Sequence, residues 1–367
     1  MARFELTISP DYVANWGFKE ALREIYQNAL DQQALDPTNI MTSSISSSSI
    51  TIRSAKSALD KASLLLGHSD KKDDAQTIGQ FGEGYKLALI VLLRLGLKVK
   101  IHNYAYKETW VPAFHHSSKY NTLLLAIDVT KYRLRTPPDA DLTWIIEGFT
   151  KEQLIEWRSF NLVTNSNYES MDLKGRQVLT EERHKGHVYV SGLFVCKSTE
   201  DLRYGYNLWP KDVKLDRDRG MVDSFDLKWN LSQLWAKHSD TPFITNLIST
   251  CAPEVSYIQH AYSPSIKTHL LSQFKEANSP NAVPVISQAE VESLKQRGFT
   301  GATIIVSPVI HSIIGHEFSA IKEEHRAPTP HEILEEFYKT YGVCMEAQGL
   351  MKDRFEYILI QSETWRL

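Results

Sequence analysis

Glu24, Asn28 and Asp31 stand at i, i+4 and i+7 in a stretch that reads as helix. At 3.6 residues per turn the three fall within about 60° of arc. Phe18, Leu22, Ile25 and Ala29 recur at helical spacing beside them, so the polar row sits at the rim of an apolar stripe and not opposite it. A carboxylate, an amide and a carboxylate line up there with no basic residue between them on that face. Such a row suits a hydrated Mg²⁺, which takes few protein oxygens and keeps its waters. A carboxylate beside it can orient and deprotonate an attacking water. Taken alone, the row is also compatible with an ordinary helix face.

Further along, Ile78-Gly79-Gln80-Phe81-Gly82-Glu83-Gly84-Tyr85-Lys86 places three glycines in six residues, directly before an apolar helix pattern. Glycine lets the backbone approach a ligand closely and adopt positive φ. The helix that follows offers unpaired N–H groups and the positive end of its dipole. Together they suit a phosphate, and Lys86 adds a point charge for it. The other reading is a tight turn whose glycines serve only packing.

The elements that must hold these residues follow from periodicity. Residues 18–35 read as one helix ended by Pro37, and 42–49 as a serine-rich loop or the frayed start of a strand. A short strand is expected at 50–52, a polar segment at 67–77, and a helix at 85–95 closed by Gly96. Strands are expected at 98–103, 109–114, 122–128 and 142–147, and a helix at 150–160. The mixture predicts an α+β sandwich with mainly antiparallel strands, not a parallel doubly wound sheet. A strand pair is expected around Val188, Val190 and 193–195. Beyond 241, helices are expected at 288–296 and 329–341, and strands at 303–306 and 355–360. The predicted divisions are 1–165, 166–240 and 241–367.

The two constellations resemble the GHKL ATPases: gyrase, the heat-shock chaperone of the group, histidine kinases and MutL. Glu24-x-x-x-Asn28-x-x-Asp31 is similar to their N box, and residues 78–84 to their later glycine box, closest to the chaperone form. Residues 80–86 are also similar to the microrchidia ATPases, which carry a lysine where Lys86 stands. The resemblance covers residues 18–95. It implies a Bergerat-type α/β sandwich with ATP and Mg²⁺ between the sheet and a lid, here 67–77, mobile until nucleotide binds. It assigns Glu24 as general base, Asn28 as Mg²⁺ ligand, and Asp31 to the nucleotide site. Gly79, Gln80, Phe81, Gly82, Glu83, Gly84, Tyr85 and Lys86 would hold the phosphates.

One box departs from the family. An Asp-x-Gly-x-Gly sequence, whose aspartate binds the adenine amino group, should follow the strand at 50–52. By strand phase the match is Ser54, followed by Ala55, Lys56, Ser57 and Ala58. Losing a charged hydrogen-bond partner costs roughly 1.5–3 kcal/mol, on the order of ten- to a hundredfold in affinity. Ser54 with water, or Asp60, would then take the base, or base selectivity is relaxed.

The position of residues 187–240 resembles the second, transducer domain of the gyrase and MutL branch, which reaches a lysine back to the γ-phosphate. Lys211, Lys214, Arg217 and Arg219 are the candidates, with a self-paired surface loop over 216–219 as the alternative. The whole chain also resembles ATP-binding proteins of bacteriophages. Gyrase-type relatives imply an ATP-dependent homodimer.

The 367 residues are 42% hydrophobic and 23% charged, ordinary for a globular protein. Lys and Arg number 41 against 44 Asp and Glu, a net charge of −3. This disfavours a general affinity for nucleic acid and leaves only a local basic patch. No apolar run reaches the roughly 18 residues of a membrane span, and residues 1–10 resemble neither a signal nor a transit peptide. Cys196, Cys251 and Cys344 are far apart, so free thiols and a reduced, cytoplasmic setting are expected. The pairs His115/His116, His184/His187 and His311/His316 lack complementary zinc ligands and read as surface residues. The reading is an ATP hydrolase whose nucleotide state moves a lid and a second domain. Its rival is a non-catalytic interaction module, nucleotide-gated or nucleotide-free, acting on a protein or DNA partner.

Overall fold

Strands β1 (Ala2–Glu5), β2 (Met41–Ile45), β3 (Ser49–Ser54), β4 (Lys98–Asn103), β5 (Glu108–Ser117), β6 (Thr122–Lys131) and β7 (Leu142–Glu147) form a seven-stranded sheet. Their order is β1-β6-β5-β4-β7-β3-β2, and every neighbouring pair is antiparallel. This computed structural model describes residues 2–65, 84–131, 140–165, 167–213, 223–324, 328–346, and 354, 357 and 358. Successive side chains of a strand point to opposite faces. Ile50 and Ile52, Val99 and Ile101, and Trp144 and Ile146 therefore share one buried face. Helices α1 (Phe18–Leu35) and α2 (Gly84–Arg94) pack together over it, and α3 (Lys151–Ser159) packs on α1.

Helix α2 is apolar nearly all round, and Ala88, Leu89, Ile90, Val91 and Leu92 are fully buried. It stops at Gly96, whose φ is +78°. The Gly96 N–H donates to the Leu93 carbonyl and the Leu97 N–H to the Leu92 carbonyl, both at 2.9 Å. These two bonds satisfy carbonyls that a helix end leaves open.

Of the serine-rich stretch, residues 42–45 take the strand alternative and 46–48 form the turn into β3. Met41–Ile45 is an edge strand paired with β3, and the Tyr26 hydroxyl meets Ser43 Oγ at 2.5 Å. Short polar strands suit a sheet edge, which is why composition alone disguises this one. The N-terminal strand β1, at the other edge, has no counterpart in the sequence reading.

A second sheet follows: β8 (Ser170–Leu173), β9 (Arg176–Leu179), β10 (His187–Val190), β11 (Leu193–Lys197) and β12 (Gly205–Leu208), in the order β11-β10-β12-β9-β8. The pair β10–β11 is the expected antiparallel one, while β10 and β12 run parallel. Helix α4 (Ser224–Trp235) closes this region. The chain divides into two compact units, 1–238 with 252–255, and 239–251 with 256–367. Both sheets belong to the first unit, where the Leu162 N–H donates to the Gly192 carbonyl at 2.7 Å. The short return at 252–255 buries Glu254 completely. Its carboxylate accepts the N–H groups of Arg203 and Tyr204, and its carbonyl accepts from Ser232 Oγ at 2.9 Å.

The second unit contains α5 (Thr241–Ser249), α6 (Pro264–Ala277), α7 (Gln288–Gln296), α8 (Pro308–Ile314), α9 (Ser319–Glu324) and α10 (Pro330–Glu346). Strands β13 (Val283–Val285) and β14 (Thr303–Ile305) pair in parallel across α7. Within the strand expected at 355–360, the two described residues, Tyr357 and Ile358, are helical. A short apolar run has no period long enough to separate the two states. Among the described residues no helix is long and apolar enough to cross a membrane.

Candidate functional site

Glu24 and Asp31 are each only 1% exposed, more deeply buried than a rim position would suggest. Asn28 is half-buried, and its Nδ2 donates to the Glu24 carbonyl one turn back, at 2.9 Å. That bond turns Oδ1, the amide's acceptor end, away from the helix backbone. The Glu24 carboxylate lies 3.6 Å from the Arg23 guanidinium. Gln27, absent from the expected set, is also buried on α1, and its Nε2 has no hydrogen-bond partner among the described residues.

Two bonds fix where along the sheet this row lies. Gln33 Oε1, near the end of α1, accepts the Met41 N–H at 2.8 Å, and Met41 is paired with Ser54. The C-terminal half of α1 therefore stands over the sheet end that carries Ser54. The inner face changes character at that end. One row across β3, β7, β4 and β5 is Ile52, Trp144, Ile101 and Trp110; the next and last is Ser54, Leu142, Asn103 and Glu108. All eight side chains are buried.

Residues 55–65 cross over this polar row. Asn103 Nδ2 donates to the Leu59 carbonyl at 2.7 Å, while Asn103 Oδ1 is buried without a partner among the described residues. Lys61 Nζ donates to Glu108 Oε1 at 2.7 Å and Trp110 Nε1 to Glu108 Oε2 at 3.0 Å. The same segment then reaches the first turn of α2. The Tyr85 hydroxyl donates to the Ser63 carbonyl at 2.8 Å, and burial pushes its pKa up to about 12. Lys86 is fully buried, and its ammonium donates to the Leu65 carbonyl. The C-terminal half of α1, the start of α2 and the end of β3 thus lie toward the same end of the sheet.

No protein-family model matches the chain. Over 210 residues, 56% of its length, it is 20% identical to an uncharacterized protein of Mycoplasma pneumoniae, 83% of which is covered.

The segment 54–58 has one unusual backbone conformation. Lys56, at the place expected for the family's first glycine, has φ +51°, a conformation that costs other residues but not glycine. Asp141 holds the turn: Oδ1 accepts the Lys56 N–H at 3.2 Å and Oδ2 accepts from Arg53 Nε at 2.7 Å. Asp60, the alternative to Ser54, already has partners. Its carboxylate caps the 3-10 turn Lys61–Leu64 through the Ala62 N–H at 2.8 Å, and accepts the Tyr106 hydroxyl at 3.3 Å.

Gly84 opens α2. Gly79, Gln80, Phe81, Gly82 and Glu83, and the expected lid at 67–77, lie outside the described residues, as do Lys214, Arg217 and Arg219. Lys211 is exposed, with Nζ 4.5 Å from the centre of the Trp209 ring, a ring that Arg176 also covers at 3.9 Å. His184 is buried and not a surface residue, with Nδ1 2.9 Å from the Tyr189 hydroxyl. Among the described residues no three His, Cys, Asp or Glu side chains group as metal ligands. Cys196 and Cys251 are free thiols.

Proposed function

We propose that the meeting point of α1, α2 and β3 is a Bergerat-type nucleotide site, and that the protein hydrolyses ATP with Mg²⁺. The observation that carries this reading is the pairing on α1. A buried Glu24 carboxylate stands one turn from a half-buried Asn28 amide whose Nδ2 is engaged by the Glu24 carbonyl, which leaves Oδ1 as its accepting end. A neutral amide oxygen with a carboxylate nearby fits a cation that binds through few protein oxygens. When bound, that cation would neutralise phosphate charge. Glu24 holds a proton-accepting oxygen at a fixed place and can take the proton of an attacking water. Lys86 can exchange the Leu65 carbonyl for a phosphate oxygen, which ties phosphate binding to the position of residues 55–65.

Replacing Glu24 by Gln keeps its shape and removes the base. Turnover of Mg·ATP is expected to fall by roughly 10²–10⁴ with nucleotide binding retained. Unchanged hydrolysis in a folded Glu24→Gln protein would overturn the assignment.

Ser54 in place of the family's aspartate favours a second reading, a nucleotide-gated module that does not turn over. Calorimetric binding of Mg·ATP with no phosphate release would select it. In either case the partner moved by the nucleotide state is a protein before a nucleic acid, given the net charge of −3. An ATP-dependent homodimer and a cytoplasmic location belong to the same proposal.

A further inference from the structure

The inner face of the seven-stranded sheet is apolar up to its last row, where Ser54, Leu142, Asn103 and Glu108 sit side by side. Glu108 is closed off, with one oxygen on Lys61 and the other on Trp110. Asn103 is only half satisfied. Its side chain is wholly buried, its Nδ2 is spent on the Leu59 carbonyl, and its Oδ1 meets no donor among the described residues. The Leu59 bond also fixes which end of the amide accepts. Buried polar atoms in native interiors are almost always paired, so this oxygen points to a donor that arrives with a ligand.

The place agrees. Asn103 is two strands from Ser54 in the same row, and Leu59, its partner, belongs to the segment that follows the degenerate box. We propose that Asn103 is the residue that reads the base, its Oδ1 accepting an N–H from the exocyclic amine of a 6-aminopurine. This rests on the nucleotide-site reading above. The acceptor has moved from the end of β3 to β4, which accounts for a serine where the family has an aspartate. A 6-oxopurine sets a second acceptor against Oδ1, and opposing acceptors discriminate by repulsion.

The test is calorimetric binding of Mg·ATP and Mg·ITP to the full chain. The native protein is expected to bind ATP roughly ten- to a hundredfold more tightly than ITP. Asn103→Leu, of similar volume, should bring the two affinities to within about twofold of each other. Asn103→Asp keeps an acceptor oxygen but sets a second one against the Leu59 carbonyl, so both nucleotides should bind more weakly while the preference for ATP is kept. General damage to the fold weakens both ligands and leaves their ratio where it was, so the ratio reports recognition. Equal binding of ATP and ITP by the native protein overturns the role of Asn103 and leaves the nucleotide site standing. The same holds if Asn103→Leu keeps the preference or Asn103→Asp loses it. If neither nucleotide binds, the nucleotide reading falls and this one with it. Should Asn103→Leu not fold, the native protein and Asn103→Asp still decide.

Discussion

Glu108 is 2% exposed on the core-facing side of a sheet, yet its carboxyl is held below the usual glutamate pKa. Burial works to raise that pKa, but the hydrogen bonds from Lys61 and Trp110, with the charges of Lys61 and Lys131, outweigh it. A carboxyl whose pKa is lower folded than unfolded stabilises the fold fully above its unfolded pKa. The contribution is lost as pH falls through the folded pKa. Glu108→Gln should therefore cost about 1.5–3 kcal/mol near neutral pH, the scale of hydrogen bonds to a charged group. The gap to the native protein should narrow once pH drops below the ordinary carboxylate range. Urea unfolding near neutral pH and again in acid checks this; a gap that ignores pH would mean the charge contributes nothing. Residues of this kind were hard to see in the sequence. Glu24, Asn28 and Asp31 show themselves because their spacing lies within one helix. Asn103 continues the inward phase of Val99 and Ile101 on β4, but its neighbours Ser54 and Glu108 come from other strands. Only the register, a long-range property, brings them together.

At the scale of elements, local period carries most of the reading. The helices at 18–35 and 288–296 and the strands at 98–103 and 142–147 lie where the sequence places them. Each has several apolar residues at one clear period and a definite stop. The edge strand β1 escapes, and β2 is left undecided between loop and strand, because an edge needs little apolar surface; the helical Tyr357 and Ile358 escape because their run is too short. The stop after α2 offers a clean measurement. A Cβ added at Gly96 would meet nothing within 4 Å, so Gly96→Ala carries only the penalty of a left-handed backbone. The expected loss is about 1–2 kcal/mol, read by chemical denaturation. A loss near zero would show that the turn relaxes and gives up the bond from Leu97 to Leu92.

For the whole molecule, the proposed site confines its effects to one unit. Adding Mg·ATP should slow amide exchange in 18–35, 49–65 and 84–94, the parts that meet at the polar end of the sheet, since a ligand stabilises what it binds. Exchange in 239–251 and 256–367 should be unchanged; protection found only there would move the site to the second unit. The return at 252–255 has a further consequence, for how the protein is made. Arg203 and Tyr204 donate their N–H groups to the Glu254 carboxylate, and Ser232 its hydroxyl to the Glu254 carbonyl, and Glu254 follows α5 of the second unit in the chain. Synthesis runs from the N-terminus. The nascent first unit therefore completes these bonds to Glu254 only once part of its neighbour has left the ribosome. The two units are not exchangeable cassettes: a recombination joint between His238 and Ser239 would separate the first unit from its own final plug.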